Sequence, residues 1–148
     1  MALKFQPKAR AVVMCDFRGF VEPEMVKTRP VVVLRQHKRN RYLVTVVPLS
    51  TTELTYLEDF HYELERSPLP GAPIQTRVWA KCDMIYTVSL TRLDRYRLGR
   101  KYFDLSINPA QFAAIREGVQ KALGFTVAKV TGERQAIGTD VASNPAAV

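Results

Sequence analysis

Apolar residues along the chain fall in short, β-branched runs separated by polar stretches that carry glycine and proline. This is the pattern of a small β-rich domain. Residues 11–17 (AVVMCDF) open apolar and predict a first strand, and residues 18–28 follow as an irregular stretch broken by Gly19 and Pro23. Residues 30–34 are nearly all valine, which predicts a strand buried on both faces. A polar, basic turn at residues 36–41 leads to a third strand at 42–49, so residues 30–49 read as a hairpin. Pro48 brings no N–H, which predicts a strand end, a bulge or an edge at that point.

Residues 51–75 form a long excursion. Within it Phe60, Tyr62 and Leu64 alternate with His61, Glu63 and Glu65, as in a half-exposed strand. Residues 68–73 (PLPGAP) read as a loop, 77–82 and 86–90 as two further strands, and 101–105 as a short one. The clearest helix comes last. Asn108 fits an N-cap, Pro109 the first helical position, and Gln111 completes a capping box. Phe112, Ile115, Val119 and Leu123 recur at helical spacing as a core stripe, and Gly124 is a natural stop. Several short strands and one C-terminal helix predict a mainly β domain over residues 1–124, built as a small bent sheet or barrel. Residues 125–148 turn small and polar, and read as a largely disordered C-terminal extension.

Composition narrows the class. The chain has 148 residues and a 47% apolar fraction, consistent with one globular domain. No apolar run approaches the roughly 18–20 residues that span a bilayer, and no signal-peptide pattern opens the chain. The expected location is therefore the cytoplasm, with no membrane association. Two cysteines, Cys15 and Cys82, are too few for a disulfide framework and read as buried free thiols. With two histidines, His37 and His61, no zinc site is expected. The net charge of +8 favours a polyanionic partner, nucleic acid first, although charge also serves solubility.

The candidate chemistry sits at predicted strand ends. Arg29 directly precedes Pro30, and its guanidinium needs an anion if buried. Glu24 could be that partner in a structural ion pair, or could orient an Arg29 that binds phosphate. Ser50 and Thr51 end the third strand, and the hairpin count sets them at the same sheet end as Arg29. Ordinary turn capping is the alternative. Lys81 and Asp83 flank Cys82, and strand alternation would place both on the face opposite it. They suit acid–base work on a phosphodiester or a routine surface pair. The run His37, Lys38, Arg39 and Arg41 suits phosphate contacts. Arg92, Arg95, Arg97, Arg100 and Lys101, interleaved with Tyr96 and Tyr102, form a second basic-aromatic segment that suits single strands. Acid concentrates in Glu53, Glu58, Asp59, Glu63 and Glu65, a segment expected to face away from nucleic acid or to meet a basic partner.

Taken together, several motifs resemble the PemK/MazF (Kid-like) family of toxin–antitoxin ribonucleases. They are Asp16-Phe17, Glu24-x-x-Lys27-x-Arg29-Pro30 before the valine strand, Val47-Pro48-Leu49-Ser50-Thr51, and Lys81-Cys82-Asp83 before Tyr86-Thr87-Val88. The resemblance covers roughly residues 10–123. It implies an SH3-like barrel of the CcdB/PemK/MazF type with a C-terminal helix. It also implies a homodimer that cleaves single-stranded RNA at short sequences, with no metal or cofactor, and that a cognate antitoxin neutralises through an acidic tail. By the same resemblance Arg29 is the phosphate-binding arginine, Ser50 and Thr51 hydrogen-bond the phosphate, and Glu24 orients Arg29. Asp83 is the base and Lys81 a proton donor, while Lys27 joins His37, Lys38, Arg39 and Arg41 in holding RNA. The rival expectation is a non-catalytic binder on the same fold, either a gyrase-inhibitor-like toxin or an inactive nucleic-acid-binding relative.

Overall fold

The computed structural model describes residues 2–125, so the expectation for the C-terminal extension beyond Phe125 lies outside the described residues. The predicted hairpin is the centre of the fold. Strands β1 (Ala11–Asp16), β2 (Thr28–Gln36) and β3 (Leu43–Ser50) run antiparallel in order. Around them lie β4 (Tyr62–Leu64), β5 (Val78–Ala80), β6 (Tyr86–Ser89), β7 (Leu93–Asp94) and β10 (Leu105–Ser106). The main path is β10-β1-β2-β3-β5-β4, with β6 also on β3 and β7 also on β1. Strands β8 (Tyr96–Leu98) and β9 (Lys101–Phe103) form a separate two-stranded hairpin. The result is a curled, barrel-like sheet with one C-terminal helix.

The valine runs are continuous because both faces of β1–β3 are covered. Val12, Val32, Val47 and Leu49 point into one core, closed by Leu64, Val78, Ile107 and Ile115. Val13, Cys15, Val31, Val33, Val44 and Val46 point the other way, into a core closed by Phe17, Val88, Leu90 and Leu93. Each strand alternates between the two, as a period of two requires.

Pro48 departs from expectation. It is buried and inside β3, paired with Val31. Beside it β3 changes partner, from β6, which ends at Val46, to β5, which starts at Leu49. The irregularity in the hairpin lies instead between Val33 and Arg35. The strand expected over 77–82 is shorter, since a turn with Met84 N–H donating to Lys81 O (2.9 Å) follows β5.

Helix α1 (Pro109–Ala122) begins with the predicted capping box on Asn108 and Gln111. It ends in a Schellman motif, with Phe125 N–H donating to Gln120 O (2.8 Å), Gly124 N–H to Lys121 O (3.0 Å), and Gly124 at φ 85°. The expected stripe is corrected at its end: Leu123 is the C-cap and is 58% exposed. Gly118 is buried instead, because the helix comes so close to Phe60 and Cys82 that no side chain fits between them.

Candidate active site

Arg29 and Ser50 meet as the hairpin count requires. β2 and β3 pair from Val31↔Pro48 inward, and two more residues of that register set Arg29 opposite Ser50. Both line a cavity of about 210 Å³ together with Thr51, Pro30, Leu49 and Val78, under a roof of Pro68 and Leu69. Arg29 is half-buried and makes no side-chain hydrogen bond or ion pair among the described residues. A cation half out of water with no protein anion is disposed to take one from a ligand. Ser50 is 6% exposed, and its Oγ accepts from Thr52 N–H (3.1 Å), which leaves its hydroxyl proton free to donate. Thr51 is exposed at the cavity mouth.

Glu24 is not the partner of Arg29. Its Oε1 accepts from Val21 N–H (2.6 Å) and closes the turn before β2. The local bond wins because a carboxylate three residues from a free N–H needs little chain ordering to reach it. Lys27 is exposed just before β2, at the Arg29 end of the sheet.

Lys81 and Asp83 are not among the residues that line the cavity. β5 is antiparallel to β3, with Trp79 opposite Ser50 and Lys81 N–H donating to Pro48 O (3.0 Å). From Trp79 onward the chain therefore runs away from the Ser50 end. Lys81 is half-buried and Asp83 exposed in the turn, with buried Cys82 between them. The expected strand alternation does not apply, because these residues follow the strand.

The basic run at the β2–β3 turn lies at the far end of the hairpin from Arg29, roughly 25 Å along the strands. There His37 Nδ1 accepts from the N–H groups of Arg39 (3.2 Å) and Asn40 (2.9 Å), so the imidazole shapes the turn. Lys38, Arg39 and Arg41 are exposed, and Arg41 lies 5.2 Å from the Tyr42 ring centroid. In the acidic stretch Glu53, Glu58, Asp59 and Glu65 are exposed, and Glu63 meets a basic side chain of the same chain. Glu63 takes a bidentate pair from Arg77 (2.7 and 2.8 Å), and that guanidinium covers the Trp79 ring at 5.1 Å.

Two structural contributors escaped the sequence. Arg92 Nη1 donates to Asp16 O (2.8 Å) and Arg18 O (2.9 Å), and its guanidinium lies 4.6 Å from the Phe20 ring. Tyr86 OH accepts from Met25 N–H (2.9 Å). Together they hold the loop that delivers the chain into β2. The roof residues Pro68 and Leu69 were legible only as a loop. Both thiols are pushed up to about 12, Cys15 and Cys82 alike, chiefly by burial. Asp16 is held down at about 2 by hydrogen bonds from Arg18. Among the described residues no three His, Cys, Asp or Glu side chains stand close enough to hold a metal ion.

A sequence profile of the PemK-like, MazF-like toxins of type II toxin-antitoxin systems matches residues 8–123. The chain belongs to this toxin family. It is 31% identical over 143 residues to the uncharacterized protein YifN of Escherichia coli (strain K12), covering 83% of this chain and 95% of that one. Among solved structures it superimposes on MazF from Deinococcus radiodurans with a TM-score of 0.60 and 20% identity, over 82% of this chain and 100% of the other. Toxin MazF-mt6 of Mycobacterium tuberculosis follows the same fold at a TM-score of 0.54 and 17% identity, over 80% and 100% of the two chains. A mycobacterial endoribonuclease solved with its cognate antitoxin gives 0.53 and 22%, over 82% and 99%. The MazF toxin fold is thus present, with its C-terminal helix. No helix among the described residues is long and apolar enough to cross a membrane.

Proposed function

We propose that this toxin is an endoribonuclease that cuts single-stranded RNA by attack of a ribose 2′-OH on the adjacent phosphorus, without a metal or cofactor. The products would be a 2′,3′-cyclic phosphate and a 5′-hydroxyl. The observation that carries this reading is the cavity in which Arg29, free of any protein anion among the described residues, stands with Ser50 and Thr51. A guanidinium and two hydroxyls suit a phosphodiester, and a cation that strengthens its hold as charge builds on the phosphorane stabilises the transition state.

Asp83 is the proposed base, since a carboxylate is ionised at neutral pH, and Lys81 the proton donor to the leaving 5′ oxygen. Their place outside the cavity requires the reacting ribose to bridge from Arg29 toward the turn after β5. The same separation favours a second reading, a nucleic-acid-binding relative that grips phosphate without cutting. Glu24 closes the turn at Val21 and so is assigned no role in orienting Arg29. As partners we propose a cognate antitoxin and a second copy of the chain. The antitoxin rests on toxin-fold neighbours solved with theirs, one mycobacterial and one from Deinococcus radiodurans. An RNA target implies action in the cytoplasm.

The test is incubation with a long single-stranded RNA in EDTA, followed by mapping of the fragment ends. Discrete cuts with cyclic-phosphate ends are expected. Arg29→Ala should slow them about 100- to 1000-fold, and Asp83→Asn about 100- to 10,000-fold. No cleavage by the wild type across varied sequences would transfer the assignment to the binding-only reading. Cleavage undiminished in Asp83→Asn would remove that residue from the chemistry.

A further inference from the structure

Away from the Arg29 cavity, the β8–β9 hairpin gathers cations and exposed rings. Residues 95–101 carry Arg95, Arg97, Arg100 and Lys101. Across the hairpin Arg97 pairs with Tyr102, whose ring has the Arg95 guanidinium at 4.9 Å and that of Arg97 at 6.0 Å. Tyr102 is 36% exposed and Phe5 is 61% exposed. Tyr102 and Phe5 line one cleft of about 460 Å³ with Lys4 and Arg95. That volume is within the range of small-ligand sites. Asp94 also lines the cleft and Asp104 engages Arg95 at 3.7 Å, so the surplus positive charge comes from the exposed Arg97, Arg100 and Lys101 of the adjoining hairpin.

The hairpin is tied to the roof of the Arg29 cavity. Tyr96 OH donates to Pro70 O (3.0 Å), and Leu98 packs on Gly71, in the same loop that sets Pro68 and Leu69 over Arg29. Tyr96 and Leu98 face that loop, which leaves Arg97 and its cross-strand partner Tyr102 on the opposite face of the hairpin. Cations beside partly exposed aromatic rings offer a single strand charge for its phosphates and stacking for its bases, with little dependence on sequence.

We infer that the β8–β9 hairpin and the N-terminal segment at Lys4 and Phe5 form a second binding site for single-stranded RNA, in which a base stacks on Tyr102 and Arg95 and Arg97 hold its phosphates. The inference rests on the proposed RNA substrate, yet it concerns binding and not cutting. Its occupant is RNA, because the hairpin's surplus of cations calls for a polyanion and the exposed rings of Tyr102 and Phe5 call for stackable groups.

The experiment measures binding of a fluorescent 20-nucleotide 2′-O-methyl RNA, which cannot undergo 2′-OH attack, by anisotropy at two salt concentrations. Tyr102→Ala should weaken binding about 5- to 100-fold, and Arg97→Ala should weaken it and flatten its salt dependence. Ultraviolet cross-linking should map a nucleotide adduct to Tyr102 or Phe5. Wild-type affinity in both variants, with adducts elsewhere, overturns the inference and leaves an acidic protein segment as the better occupant. The outcome is independent of the nuclease reading. If wild-type protein cuts no natural RNA yet loses affinity in Tyr102→Ala, the nuclease reading fails and the second site stands. If it cuts but Tyr102→Ala binds normally, the reverse holds.

Discussion

Gly118→Ala is the substitution that best tests how the helix buttresses the proposed acid–base turn. A Cβ at Gly118 would stand 2.6 Å from the Phe60 backbone oxygen, 2.7 Å from Cys82 Sγ and 3.1 Å from Cys82 Cβ. None of these is the loose end of an exposed side chain: one is backbone, and Cys82 is buried. Alanine in a helix interior gains about 1 kcal/mol over glycine. Overpacking a close contact costs about 1–3 kcal/mol, and two contacts this short belong at the upper end. The net expectation is a loss of about 2 kcal/mol, or a Tm lower by roughly 4–8 °C. Thermal unfolding followed by circular dichroism reads it directly. Because Cys82 sits between Lys81 and Asp83, RNA cleavage should also fall at temperatures where the variant remains folded. An unchanged or raised Tm would refute the reasoning, since it would mean that α1 stands further from Phe60 and Cys82 than described.

Neither thiol should react with Ellman's reagent at pH 8 in the native protein, and both should react once denaturant is added. Burial raises both folded values from 9.0 to about 12, so that contribution to stability is complete below pH 9 and is lost as pH rises toward 12. Asp16 works with the opposite sign. Its folded value is depressed from 3.8 to about 2, so the stabilisation from Arg18 is present above pH 3.8 and disappears as pH falls to about 2. Acid unfolding curves of wild type and Asp16→Asn should therefore separate at neutral pH and converge below pH 2; a gap that persists in strong acid contradicts the assignment.

Short-range chemistry was legible in the chain itself. The valine run of β2 showed its type and its double burial, because the stretch of a strand that lies between two cores is apolar on both faces. The capping box at Asn108 and the stop at Gly124 gave the helix ends, because each is settled by hydrogen bonds within a few residues. Counting along a hairpin also brought Arg29 to Ser50, since register follows from the strand period. The tertiary structure alone decided what depends on approach between distant segments. Glu24 is three residues from the N–H it binds and was expected on Arg29, and only the path of the 18–28 loop chose between them. Lys81 and Asp83 have strand-like spacing, but β5 ends at Ala80 because its partner β3 passes to β6 beyond Pro48. The roof of Pro68 and Leu69, the Arg92 clamp, and the contact that makes Gly118 a glycine all join residues far apart in sequence. Periodicity carries no information about such pairs, and packing selects them only when the sheet has curled and the helix has docked.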